Sequence, residues 1–176
     1  MKNTVITDLL VLSLLLDEPR YGYDLKRDAG VLLGRGVLHN NLVYPLLARF
    51  RKRGWVRRRE LPGDRGQKRQ VYTLTVTGRK ELLARLGEFS EKDAASSDAF
   101  RVRVGMFAVL DRETRKRILD VRERILLERR AHLRKISGHF DDVGKFGEAV
   151  IALRRRQLQA EIVWLRGLRK LARGRA

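Results

Sequence analysis

Residues 38–78 constrain the fold of this chain more than any other segment. They read LHNNLVYPLLARFRKRGWVRRRELPGDRGQKRQVYTLTVTG. An arginine-rich helical pattern precedes two strand patterns, and a turn rich in glycine and basic residues joins the strands. A basic helix fits the major groove of DNA, and a basic hairpin beside it can contact the flanking backbone. The segment therefore predicts a winged helix-turn-helix that binds double-stranded DNA.

The charge of the chain also indicates a polyanionic partner. The formal net charge is +19, from 40 lysines and arginines against 21 acidic residues. Residues 49–69 concentrate it locally, with ten basic and two acidic side chains. Such an excess favours either nucleic acid or an anionic membrane surface, and charge alone does not choose between them.

Length and composition limit the class of protein. A chain of 176 residues, 43% hydrophobic, can form one domain with an appendage or two small domains. The sequence has no cysteine, which excludes disulfides and thiolate metal sites. Asp8 interrupts the apolar N-terminal stretch, and no apolar run approaches the ~20 residues that span a bilayer. We expect a cytoplasmic protein without a secretory signal.

The first half of the chain should form four helices and the hairpin. Helices are predicted over residues 4–16, 20–33, 39 or 40 to 53, and 78–87, and strands over 55–60 and 71–76. Asn40 is expected to cap the third helix and Thr77 the fourth. The predicted DNA-binding domain covers residues 1–87, followed by a polar linker over 88–98.

The second half, residues 99–176, is predicted to be an all-helical dimerisation domain. Helices are expected over 99–109, from a cap at Asp111 to about 137, and over 145–172. The last helix carries an apolar stripe that we expect to form the interface of a two-fold homodimer. Its members are Ile151, Leu158, Ile162 and Leu165.

Several motifs resemble the PadR family of bacterial transcriptional regulators. They are Tyr21-Gly22-Tyr23-Asp24-Leu25, Val43-Tyr44-Pro45-Leu46-Leu47, Gly54-Trp55-Val56, Tyr72-Thr73-Leu74-Thr75 and Thr77-Gly78-Arg79. The resemblance covers residues 9–87. The length of the second half and Glu161-Ile162-Val163-Trp164-Leu165 resemble the subgroup with a long helical C-terminal domain.

The resemblance implies a repressor that occludes a promoter and is released by a small effector. Its partner would be a pseudo-palindromic operator. The chain departs from the family pattern at Arg51, where members often carry glutamate, and at His39, Asn40 and Asn41, where small residues are usual. These last positions face DNA in the family, so the operator sequence cannot be transferred.

The candidate DNA contacts fall into two groups. At the start of the third helix, an asparagine can read adenine, and a tyrosine can reach a base or a phosphate. Cations at the end of this helix and on the hairpin should contact phosphate, which positions the protein without specifying sequence. The candidates are His39, Asn40, Asn41, Tyr44, Arg49, Arg65, Lys68 and Arg69.

Aromatic residues could line an effector pocket between the two predicted halves of the chain, although ordinary core packing explains them as well. The candidates are Phe89, Phe100, Phe107 and Trp164. We find no catalytic motif, no metal-ligand spacing and no cofactor-binding motif, so we expect neither an enzyme nor a metal or cofactor.

Two other functions remain open on sequence alone. One is a basic helical adaptor that binds an anionic membrane or an acidic protein. The other is an architectural protein that binds DNA without sequence preference. Membrane or protein binding by the adaptor should survive the loss of Asn41 and Tyr44. The architectural protein should bind scrambled DNA as tightly as a selected site.

Overall fold

The computed structural model of the chain describes residues 4–34, 36–62, 68–137 and 144–173. The elements are α1 (Thr4–Leu14), β1 (Arg20–Tyr21), α2 (Gly22–Leu32), α3 (Asn40–Lys52), β2 (Val56–Pro62), β3 (Lys68–Leu74), α4 (Val76–Gly87), α5 (Glu91–Ala95), α6 (Ser97–Gly105), a 3-10 turn (Phe107–Val109), α7 (Arg112–Ser137) and α8 (Gly144–Arg173). The predicted fold class is confirmed: the chain is mainly α, with an N-terminal winged helix and a helical C-terminal region.

The chain divides into two compact units. The first comprises Met1–Glu88 with Arg101–Met106, and the second comprises Phe89–Phe100 with Phe107–Ala176. The polar segment 88–98, predicted to be a linker, contains α5 and buries Ala94 completely. The small polar residues that suggested a linker here cap and pack a helix: the Ser90 hydroxyl accepts a hydrogen bond from the Asp93 N–H at 3.2 Å.

The core of the first unit forms where α1 packs against α2 and α4. Because α1 is apolar on most of its surface, it lies almost entirely inside. α3 is amphipathic and buries one face only. The most buried side chains are Leu9, Val11, Leu12, Leu25, Val43, Leu47, Phe50, Leu82 and Leu86. This packing fixes α3 with its opposite face toward solvent.

The wing is a β2–β3 hairpin to which β1 adds a third strand. The strand order is β1-β3-β2 and all pairs are antiparallel. Residues 20 and 21 were predicted to be helical, and this is wrong. A two-residue strand is too short to show alternation, and it forms because it pairs with Tyr72 and Val71 of β3.

Thr75, not Thr77, caps α4. Its Oγ1 accepts a hydrogen bond from the Gly78 N–H at 2.9 Å and donates to the Gly54 carbonyl at 2.6 Å. The predicted cap was two residues too late because α4 begins at Val76 and not at residue 78. Gly78 packs against the wing so closely that a Cβ there would lie 2.0 Å from the Trp55 carbonyl oxygen.

The second unit is built on α7 and α8, which pack together along their apolar sides. Their bounds agree with the prediction to within a residue. Asp111 caps α7 as expected, accepting from the Thr114 N–H at 2.7 Å, and this hydrogen bond lowers the pKa of the Asp111 carboxyl. The main buried side chains are Phe100, Ile118, Leu119, Leu126, Ile162 and Leu165.

A fully buried arginine, Arg122 of α7, makes hydrogen bonds to residues of three other helices, α5, α6 and α8. Its Nε donates to Glu161 Oε1 of α8 at 3.0 Å, and its Nη2 donates to Ser97 Oγ at 2.9 Å. Its Nη1 donates to the Ala94 carbonyl of α5. The guanidinium also lies 5.3 Å from the ring centroid of Phe100. These contacts supply the partners that a buried charge requires.

Candidate nucleic-acid interface

One face of α3 is free of the core and carries side chains suited to DNA. Asn41, Tyr44 and Arg51 are exposed and recur at intervals of three and seven residues, which places them on one stripe of the helix. Ala48 lies on the same stripe between Tyr44 and Arg51. Its side chain is a single methyl group, so it projects from the helix less than its neighbours do. The sequence predicted base contacts for Asn41 and Tyr44, and it predicted a phosphate contact for Arg51 as one of the cations at the end of the third helix. The helical spacing from Tyr44 shows in addition that Arg51 shares a stripe with the two candidate base contacts.

The first turn of α3 is held differently from the prediction. His39 is the N-cap, and its side chain makes no capping hydrogen bond. The Asn40 side chain instead accepts a hydrogen bond from Lys26 Nζ of α2 at 3.0 Å. Lys26 also lies 5.0 Å from the ring centroid of Tyr23. Asn40 therefore links α2 to α3, while Asn41 is left to solvent.

Tyr44 lies at the junction of α3 with the wing. A Cβ on Gly22 would lie 3.1 Å from the Tyr44 ring and 3.2 Å from the Tyr72 ring, so even an alanine there would require these rings to shift by a few tenths of an ångström. Burial raises the pKa of Tyr72, whereas Tyr44 is 40% exposed. One edge of the Tyr44 ring therefore lies close to Gly22, and the rest of the side chain is partly exposed to solvent.

An open groove of about 490 Å³ runs beside Tyr44. Three tyrosines and two cations line it, together with the first turn of α2. The lining residues are Tyr21, Gly22, Tyr23, Asp24, Tyr44, Lys68, Arg69 and Gln70. The groove therefore brings the start of the candidate reading helix next to the predicted wing contacts.

The predicted wing cations are exposed where the structure describes them. Lys68 lies 3.5 Å from Glu60, with 79% of its side chain exposed. Arg69 lies 5.8 Å from the ring centroid of Tyr21. Arg65 lies outside the described residues. Sequence reasoning did not select Arg57, Arg58 and Arg59, although all three are exposed on β2.

Arg49 does not belong with these residues. Its Nη2 donates to both carboxylate oxygens of Asp8, at 2.7 and 2.6 Å. Asp8 is 5% exposed on α1, and Arg85 of α4 lies 4.0 Å from it. Because the guanidinium compensates a buried carboxylate, we do not retain Arg49 as a DNA contact. Its partner stands 41 residues away, beyond the reach of local sequence patterns.

The four aromatic candidates for an effector pocket lie in the second unit. The Phe89 and Phe100 rings are 6.3 Å apart, and Trp164 meets Phe100 edge-on at 5.7 Å. Phe100 is fully buried, Trp164 is 41% exposed and Phe107 is half-buried in the 3-10 turn. Three of the four rings thus form a packed cluster, and a role in effector binding stays a prediction.

The predicted dimer stripe is already covered within one copy of the chain. Ile162 and Leu165 are 1% exposed, Ile151 is 9% exposed and Leu158 is half-buried. These side chains were assigned to an interface because an apolar stripe needs to be covered. They are covered within one copy, so that reason no longer applies. α8 carries a second apolar stripe that is exposed, comprising Phe146, Val150, Leu153, Trp164 and Leu171.

Within the described residues, no group of three or more histidines and carboxylates is placed to hold a metal ion. No helix in that part of the chain has the length and apolar character needed to cross a membrane.

Comparison with known proteins identifies the N-terminal half. The model of the family described as "Transcriptional regulator PadR-like family" matches residues 11–84. No curated protein matches the chain.

Three solved structures illustrate the structural likeness. The chain is 21% identical to Bacillus subtilis PadR, solved in complex with operator DNA, with a TM-score of 0.47 over 95% of this chain and 99% of that one. A transcriptional regulator from Thermoplasma acidophilum is 28% identical, with a TM-score of 0.41, and the match covers 44% of this chain and 73% of that one. A transcriptional regulator from Clostridium thermocellum is 24% identical, with a TM-score of 0.41, and the match covers 46% of this chain and 79% of that one. Over residues 11–84, the chain is similar to the PadR-like family of transcriptional regulators.

Proposed function

We propose that this chain is a homodimeric transcriptional regulator that recognises a specific sequence in double-stranded DNA. The observation that carries the proposal is the free stripe of α3, with Asn41, Tyr44 and Arg51, beside a groove that contains Lys68 and Arg69. A regulator of this family needs such a surface to find its promoter.

The two parts of this surface have different tasks. An α-helix about 10–12 Å wide fits the major groove, where an amide side chain can make two hydrogen bonds to adenine. Asn41 stands at the exposed N-terminal end of α3, so we assign base reading to it and to Tyr44. Lys68 and Arg69 present cations on the wing, and we assign phosphate contacts to them.

Substitution of one residue from each part tests this assignment. Asn41→Ala should lower discrimination between selected and scrambled DNA by about 1–3 kcal/mol, the worth of a bidentate base contact. Lys68→Ala should weaken both DNAs about equally and reduce the salt slope by roughly one contact. Competition binding with both variants on both DNAs measures the two effects.

The opposite pattern would contradict the assignment. If Lys68→Ala removed sequence preference and Asn41→Ala kept it, the wing would be the reader. Equal wild-type affinity for selected and scrambled DNA would indicate an architectural DNA-binding protein. If the Asn41→Ala/Tyr44→Ala variant still bound anionic vesicles, and the wild type selected no DNA sequence, these results would favour a membrane adaptor.

The exposed stripe of α8 supports the homodimer. Phe146, Val150 and Leu153 are spaced by four and three residues, and Trp164 and Leu171 continue the same heptad register. Such a stripe on a 30-residue helix is typical of a helix that packs against a second helix. We assign the interface between two copies to this stripe in place of Ile151, Leu158, Ile162 and Leu165.

Light scattering on two α8 variants tests the interface. Leu153→Asp should split the dimer because a carboxylate would be buried against an apolar partner. Gln159→Asp adds the same group at an exposed position off the stripe and should leave the dimer intact. A monomeric wild type at micromolar concentration, or equal effects of the two variants, would contradict the interface.

Repression by promoter occlusion and release by a small effector complete the proposal. Occlusion predicts that the protein blocks transcription in vitro when added before RNA polymerase but not after open-complex formation. Effector binding near Phe89, Phe100, Phe107 and Trp164 predicts that an effector found by its release of DNA changes Trp164 fluorescence. An effector that releases DNA without this change would place its site elsewhere.

A further inference from the structure

The side chain of Asn40, at the start of α3, is held in one orientation by a lysine of the neighbouring helix. Lys26 Nζ of α2 lies 3.0 Å from Asn40 Oδ1 and donates a hydrogen bond to it. A lysine ammonium can only donate hydrogen bonds, so it must face the amide oxygen and not the amide nitrogen. The oxygen of Asn40 is therefore engaged within the protein, and the NH2 group is the part of the amide that remains for a ligand.

The position of Lys26 is itself well defined. Its ammonium lies 5.0 Å from the ring centroid of Tyr23, one turn earlier in α2. Its backbone carbonyl accepts a hydrogen bond at 3.2 Å from the N–H of Leu38, just before α3 begins. A Cβ on Gly30 would lie 2.1 Å from the Gly36 carbonyl oxygen, so the turn that leads into α3 packs directly on α2. This packing fixes where the lysine stands relative to the start of α3.

A purely structural role does not account for the hydrogen bond between Lys26 and Asn40. Asn40 is exposed and Lys26 is half-buried, and an exposed hydrogen bond adds little stability because water can replace either partner. The junction of α2 and α3 is already held by Leu38, which is 6% exposed, and by the close approach of the turn. What the hydrogen bond changes is the set of polar groups that Asn40 presents at the surface of α3.

Asn40 lies where it can reach the same DNA as the residues to which we assign base reading. It stands one turn before Tyr44 and next to Asn41, on the exposed side of α3. The amide of Asn41 is left to solvent and can both accept and donate, which is the pattern that matches adenine. An amide whose oxygen is engaged can only donate, and guanine is the base that offers two adjacent acceptors, N7 and O6, in the major groove. The two neighbouring asparagines are therefore suited to different bases.

We propose that Lys26 is a positioning residue that sets the base preference of Asn40. By holding the amide oxygen, it makes Asn40 a donor to guanine and prevents the two-bond pairing with adenine. The inference rests on the proposed function, because its ligand is the base edge of the DNA that α3 reads. It adds to the determinants of sequence a residue of α2 that acts through another side chain.

Selection from random duplex DNA with two lysine variants tests the role of Lys26. In Lys26→Met the donor is lost, so the Asn40 amide can turn and adenine becomes acceptable. One position of each half-site should lose its preference for guanine over adenine, by about 5- to 150-fold, the worth of a bidentate contact. Lys80→Met, at an exposed position of α4, removes the same charge and should leave the selected motif unchanged.

Asn40→Asp tests the orientation of the amide while the lysine is kept. Aspartate can also accept from Lys26, but it presents a second oxygen in place of the NH2 group. Because a carboxylate accepts from the amino group of cytosine, the preference at the same position should change from guanine to cytosine. Asn41→Ala should change a different position. Base preference is compared within the pool that each variant selects, so a general loss of affinity or stability does not imitate these results.

The inference is overturned if Lys26→Met selects the same motif as the wild type, or if Lys80→Met changes the motif equally. It is also overturned if Lys26→Met weakens all sequences alike and lowers the salt slope by roughly one contact, since Lys26 would then be a phosphate contact. In each case the proposed function stands, because the wild type still selects a sequence. A wild type that selects no sequence would refute both the proposed function and this inference.

Discussion

Removing either partner of the Arg122–Glu161 pair should strongly destabilise the second unit. The Arg122 side chain is fully buried, and Glu161 is 20% exposed. In Glu161→Met the guanidinium loses this carboxylate and keeps two neutral acceptors, the Ala94 carbonyl and Ser97 Oγ. In Arg122→Met the Ala94 carbonyl loses this donor, and Glu161 loses its cation.

The magnitude follows from the burial of the pair. Removal of one partner from a buried ion pair costs about 3–5 kcal/mol. The neutral acceptors and the partial exposure of Glu161 place each single variant near the lower end, at about 3 kcal/mol. The Arg122→Met/Glu161→Met double variant buries no charge, and its main cost is the unpaired Ala94 carbonyl, at about 1–3 kcal/mol. The double variant should thus be no less stable than either single variant.

Urea unfolding followed by far-UV circular dichroism, at one protein concentration, measures the three free energies of unfolding. The two single costs sum to about 6 kcal/mol. The double-mutant cycle should therefore show non-additivity of about 3 kcal/mol or more. Additive effects, or a cost below about 1 kcal/mol for Glu161→Met, would refute the reasoning that Arg122 needs this carboxylate.

Three further predictions concern the first unit. Thr75→Ala should cost about 1 kcal/mol in urea unfolding because α4 loses its cap, while Thr77→Ala, at an exposed position, should stay within about 0.5 kcal/mol. Gly78→Ala should cost about 1–3 kcal/mol or more, since its Cβ would overlap the Trp55 carbonyl; wild-type stability would contradict the close approach. Burial raises the pKa of the Asp8 carboxyl above its ordinary 3.8. The charges of Arg49 and Arg85 act in the opposite direction but do not cancel this shift. The folded protein then binds this proton more tightly than the unfolded chain, so the free energy of unfolding of the wild type relative to Asp8→Asn should fall as pH rises from about 4 through the raised pKa. Urea midpoints of both proteins across that range measure the difference, and a relative stability that rises with pH would contradict the sign.

Local sequence predicted those features whose causes are local. The capping group of Asp111 and the heptad spacing of α7 placed that helix to within a residue. The basic wing and the stripe of α3 were likewise predictable, because alternation and helical spacing report which side chains share a face.

Features that depend on distant partners were missed or wrongly assigned. β1 exists only through pairing with Tyr72 and Val71, and Arg49 is engaged by Asp8. α8 has two apolar stripes, and periodicity alone did not show which one packs on α7. Ile162 and Leu165 therefore seemed free for a second copy, although they lie in the core and Leu153 is exposed.

Selection from a pool of random duplex DNA tests the central claim most directly. A dimer that presents two α3 helices should enrich a two-fold symmetric motif whose half-sites are about 10–10.5 base pairs apart, or a multiple of that spacing. Asn41→Ala should lose part of the enrichment at one position of each half-site. A pool that stays random with the wild-type protein, or that enriches one motif without symmetry, would contradict the account.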